Sequence, residues 1–80
     1  MTVQSGDVRA LLEQIAKALV DEPDQVSVNH LDGDVLELSV APNDVGKVIG
    51  AKGRVARALR ALIGAAGLRM HKRFTLEILE

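Results

Sequence analysis

Val45-Gly46-Lys47-Val48-Ile49-Gly50-Ala51-Lys52-Gly53-Arg54 is the stretch on which the reading of this chain turns. Three glycines fall within eight positions, and basic residues flank them. Glycine reaches positive φ at little steric cost and lets a second chain approach closely. Upstream, Asn43 or Asp44 can cap a very short helix running to about Ile49, which Gly50 interrupts. Downstream, a longer helix is expected from about Arg54 to Ala66, with Val55, Leu59, Leu62, Ile63 and Ala66 as its apolar face. Gly64 and Gly67 weaken and close it. Arg54, Arg57 and Arg60 form a separate basic stripe. A helix start presents backbone N–H groups and partial positive charge. With Lys52 and Arg54 beside it, the segment is suited to cradle phosphate.

It is neither of two familiar nucleotide loops. A Walker A loop needs four residues between its glycines and a lysine after the second. Here three residues separate Gly46 from Gly50, and Ala51 stands where the lysine belongs. The dinucleotide fingerprint needs Gly-x-Gly-x-x-Gly after a strand, whereas the spacing here is Gly-x-x-x-Gly-x-x-Gly after a short helix.

Outward from this segment the pattern is simple. Val8, Leu11, Leu12, Ile15, Leu19 and Val20 recur at helical spacing, Ser5 or Asp7 can cap them, and Pro23 suits a helix stop. Val26, Val28 and His30 alternate with polar residues, as do Leu36, Leu38 and Val40. Between them Leu31-Asp32-Gly33-Asp34 carries the Asp-Gly dipeptide of a tight hairpin turn, and Pro42 ends the second strand. Phe74, Leu76 and Ile78 alternate in a third strand. The expected order is α-β-β-α-α-β, an α+β fold with a three-stranded sheet and helices on one face.

The chain has 80 residues, enough for one domain over 1–80, with a stability of about 4–12 kcal/mol. It has no cysteine, so disulfides, thiolate nucleophiles and zinc–thiolate sites are excluded. Asp7, Arg9, Glu13 and Lys17 interrupt the apolar residues of Met1 to Val20, which is therefore expected to be neither a signal peptide nor a membrane span. A cytoplasmic protein is expected. The net charge is −1, but it is unevenly placed. Residues 1–43 hold eight acids and two bases, while residues 45–73 hold eight bases and no acid. Such a basic region can be a plain solvated face; the absence of acids across it points to a polyanion partner.

Val-Ile-Gly-x-x-Gly-Arg between two helices resembles the KH domain, whose GXXG loop clamps four backbone nucleotides. The element order looks like the bacterial type II form. Lys17-Ala18-Leu19-Val20-Asp21, Val40-Ala41-Pro42-Asn43-Asp44 and Gly53-Arg54-Val55-Ala56-Arg57-Ala58-Leu59-Arg60 extend the resemblance to stand-alone bacterial KH proteins of the KhpA type. The resemblance implies the following roles. Gly50, Ala51, Lys52 and Gly53 match the GXXG loop. Val48 and Ile49 match the apolar pair that lines the base groove. Lys47 and Arg54, with Arg57, lie where phosphates pass. Many KH domains carry a large aliphatic residue where this chain has Ala56, so groove depth and base preference do not carry over. The resemblance also implies single-stranded RNA as ligand, RNA-chaperone or post-transcriptional regulatory work linked to bacterial cell shape and division, and a homodimer or a heterodimer with a second KH-containing protein. Phe74 is the only ring among Phe, Trp and Tyr. That is too few for folds that stack bases on several aromatic side chains, but compatible with an aliphatic groove.

Other residues invite plainer readings. Val48 and Ile49 point about 100° apart on a helix, so one is expected in the core and the other at the groove. His30 and His71 lack a ligand cluster and read as surface or strand-end residues. Asp32 and Asp34 belong to the hairpin turn. Arg69, Lys72 and Arg73 either extend an RNA path or form a solvated approach to the last strand. No catalytic constellation, metal site or cofactor site is evident, so a binding protein rather than an enzyme is expected. The rival reading is a KH-like fold used only for protein interaction or dimerisation.

Overall fold

The structure, a computed structural model, describes residues 5–80, and side chains from Val8 onward. Helix α1 spans Ser5–Leu19, strands β1 and β2 span Ser27–Leu31 and Val35–Ser39, helices α2 and α3 span Val45–Ile49 and Arg54–Leu68, and strand β3 spans Thr75–Ile78. The order is thus α-β-β-α-α-β, the type II KH arrangement. The sheet runs β1-β2-β3, with β1 antiparallel and β3 parallel to the central β2. A parallel neighbour cannot be reached by a tight turn; α2 and α3 are the crossover, and the glycine-rich segment joins them.

Alternation sets the covered face of the sheet. Val28, Leu36, Leu38 and Leu76 are buried beneath the helices, joined by Val8, Leu12, Val48, Leu59 and Ile63 in one core. The opposite face, including Ser27, Asn29, Glu37, Thr75 and Glu77, stays wholly or partly open to solvent.

Several local expectations need correction. Helix α1 already runs from Ser5, which places Asp7 inside it rather than at its cap; the side chains of residues 5–7 lie outside those described. The hairpin connection has three residues, since Leu31 pairs with Val35, and Gly33 and Asp34 both take positive φ. Strand β2 stops one residue short of Val40. On α3 the buried stripe is Ala56, Leu59, Ile63 and Gly67, while Leu62 is 50% exposed. On α1 it is Val8, Leu12 and Ala16, with Leu11 and Leu19 exposed. Among these inward residues the small ones, Ala16, Ala56 and Gly67, let the helices sit close to their neighbours. Gly67 shows this directly. It does not close the helix but lies buried within it, where a Cβ would come within 2.6 Å of the Lys72 carbonyl oxygen. The left-handed residue beyond the helix is His71, with φ of 56°.

Candidate nucleic-acid interface

Helix α2 has five residues and ends where the Gly50 N–H donates to the Gly46 carbonyl at 2.8 Å. Gly50 then takes φ 78° and ψ 167°, a region essentially confined to glycine. A Cβ there would also lie 2.5 Å from Val55 Cγ2 and 2.8 Å from the Val55 nitrogen. The Gly53 N–H donates to the Gly50 carbonyl at 3.0 Å, closing the bend. Lys52 (φ 57°, ψ 24°) and Gly53 (φ 75°, ψ 17°) are both left-handed, and α3 starts at Arg54. Gly46 is different: it is exposed, and a Cβ added to it would meet nothing within 4 Å, so the fold itself does not demand a glycine there.

The side chains around this bend are exposed and basic. Ala51, Lys52, Arg54, Arg57 and Arg60 are all exposed. Among the described residues no side chain caps α3, and no acid stands in its first turn, so its positive end is not neutralised there. Among the described residues, Lys52, Arg54, Arg57 and Arg60 form no ion pair, whereas Arg9, Lys17, Lys47 and Lys72 each do. Arg69 and Arg73 are exposed; Lys72 lies 3.8 Å from Asp34. Arg57 also reaches back, its Nη1 donating to the Lys52 carbonyl at 2.7 Å.

Two residues expected to contact RNA, one at the groove and one on the phosphate path, are otherwise engaged. Val48 has no exposed surface and belongs to the core, which leaves the partly exposed Ile49 as the member of the pair at the surface. The Lys47 ammonium sits 3.0 Å from Asp21 and 3.1 Å from Asp44, and these hydrogen bonds, Asp21 first, raise its pKa. Its charge is already matched by two carboxylates.

Asp44 organises this corner, and sequence reasoning gave it the wrong task. Its side chain makes no capping bond to α2. It is only 1% exposed and accepts from the backbone N–H groups of Asp21 at 3.2 Å and Glu22 at 3.0 Å, and from Lys47. Burial by itself would raise the Asp44 pKa, but the two amides and the ammonium outweigh it and hold the carboxyl below its ordinary value. The start of α2 is thereby fastened to the segment just after α1, across a sequence gap no local pattern reports. The only local hint was Lys47 three residues after Asp44, a spacing at which helical side chains meet.

The model of the KhpA/KhpB KH domain matches residues 9–78. The chain belongs to this family. The KhpA/KhpB match begins within α1 and reaches the end of β3, so every strand and both crossover helices fall inside it. Curated relatives named "RNA-binding protein KhpA" agree. That of Clostridium acetobutylicum is 51% identical over 75 residues, covering 90% of this chain and all of its own. That of Caldanaerobacter subterraneus is 53% identical over 72 residues, covering 86% and 96%. That of Streptomyces coelicolor is 54% identical over 59 residues, covering 70% and 75%. Within the described residues of this KhpA/KhpB member, no group of three or more His, Cys, Asp or Glu could hold a metal ion, and no helix is long and apolar enough to cross a membrane.

Proposed function

We propose that this chain is a binding protein, not an enzyme, and that it grips single-stranded RNA with the bend from Gly50 to Gly53. The observation that carries the reading is the locked glycine bend, which offers exposed Lys52 and Arg54 beside an uncapped helix start with no acid in its first turn. Relatives bearing the name RNA-binding protein support RNA as the ligand. The backbone of the strand runs past Lys52 and Arg54, and Ile49 meets the bases. Lys47 and Val48 drop out of the contact set for the reasons of pairing and burial given above.

Few cations act directly, so salt dependence is modest. For two or three phosphates on a single strand the slope of log K against log salt is roughly −1.4 to −2.1. A duplex keeps its base edges stacked and paired, so short unstructured RNA binds better than a duplex of equal length. Fluorescence anisotropy with both oligonucleotides at three salt concentrations tests this. Tighter binding to the duplex at all three removes the groove mechanism.

The cellular setting follows from the family resemblance: a cytoplasmic RNA chaperone or post-transcriptional regulator, linked to cell shape and division. Crosslinking in cells with sequencing of bound RNA tests it; no enrichment over background contradicts it. We also propose association with a second copy or with another KH-containing protein. Leu11, Leu19, Leu62 and Leu68 are 39–75% exposed, and a partner that covered any of them would remove apolar surface from water. Sedimentation that gives monomer mass at every concentration, alone and with such a partner, contradicts it.

A further inference from the structure

We infer that Arg57 is a positioning residue for the bend: its guanidinium holds Gly50 to Gly53 in the conformation that receives the strand, rather than serving as one more phosphate contact. This rests on the reading of the bend as the RNA site.

Three features converge on the same atoms. Arg57 Nη1 donates to the Lys52 carbonyl at 2.7 Å. Lys52 is the one non-glycine residue in the bend with positive φ, at 57°, a conformation that side chain-bearing residues seldom adopt without support. Gly53 leaves the room the guanidinium uses, since a Cβ there would stand 3.3 Å from Arg57 Nη1. The residue that holds is itself well founded. Arg57 lies in the first turn of a fifteen-residue helix, between buried Ala56 and buried Leu59. Among the described residues no carboxylate draws it elsewhere. A guanidinium is planar, always charged and rich in donors, which suits it to fixing a carbonyl at the edge of a bend. Fixing the bend in advance removes an ordering cost that binding would otherwise carry.

The deciding measurement is made without RNA. In the free wild-type protein the backbone order parameters of Ala51, Lys52 and Gly53 should lie near the rigid value of about 0.85, and in Arg57→Ala they should fall toward about 0.6. Arg60→Ala removes an equal charge one turn further along and should leave them unchanged. In anisotropy with a short unstructured RNA, Arg57→Ala should weaken binding about tenfold, well beyond Arg60→Ala. Circular dichroism confirms that both variants fold. Unchanged order parameters in RNA-free Arg57→Ala overturn the inference, as does a loosened bend with undiminished affinity. If the wild-type protein binds no RNA, the RNA reading fails, and the order parameters alone still decide whether Arg57 holds the bend.

Discussion

The α2–α3 bend and the β1–β2 hairpin share a backbone device yet differ in everything built on it. Each sets a glycine beside a non-glycine residue at positive φ: Gly33 and Asp34 in the hairpin, Lys52 and Gly53 in the bend. In the hairpin, Gly33 has open space around it, and Asp34 turns back onto the protein, 3.0 Å from His30 and 3.8 Å from Lys72. In the bend, Gly50 is pressed against Val55, Arg57 holds the Lys52 carbonyl, and the Lys52 and Arg54 charges are unmatched among the described residues. A tight glycine turn is therefore no sign of function by itself. Packing beneath it and unmatched charge above it separate a connector from a site.

The largest contrast should appear on adding one methyl group to each turn. Gly50→Ala combines a glycine-only conformation with a clash against Val55 and should cost about 3 kcal/mol or more in denaturant unfolding. Gly33→Ala meets open space and should cost about 1–2 kcal/mol, the conformational penalty alone. Equal costs would break the comparison, because the bend would then be no more constrained than the hairpin.

That contrast was only partly legible in the sequence. The element order was, because apolar residues at period 3.6 or 2 mark helices and strands whatever surrounds them. The need for glycine at 50 and 53 was legible from the context of the motif. Which residues of each helix face inward was less so. Leu62 outranks Ala56 and Gly67 in hydrophobicity, but the interior here needs small residues against close neighbours, as the Lys72 carbonyl above Gly67 shows. Apart from the Asp44–Lys47 spacing, the ties around the bend were not legible. Asp44 meets the Asp21 and Glu22 amides only once the chain has folded, and the Arg57 bond depends on the left-handed turn at Lys52.

A subtler effect concerns the tie behind the bend. The Asp44 pKa is lowered in the folded protein. Its contribution to stability is therefore full above the ordinary carboxylate range and is lost as pH falls through its folded value. The melting-temperature gap between wild type and Asp44→Asn should narrow as pH is lowered from about 6 to about 3. A gap that stays constant would mean that the carboxylate charge is not what fastens α2 to the segment just after α1, and that the bend is no better anchored than the hairpin.

The claim that the bend is the RNA site and the hairpin is not meets its most direct test in charge reversal at the bend. In Ala51→Asp with Lys52→Asp, carboxylates replace the exposed side chains at the start of α3, where they would repel phosphate. Both positions are exposed, so circular dichroism should stay as in wild type, while anisotropy with a short single-stranded RNA should show binding abolished. A folded double variant that binds this RNA with wild-type affinity would contradict the account.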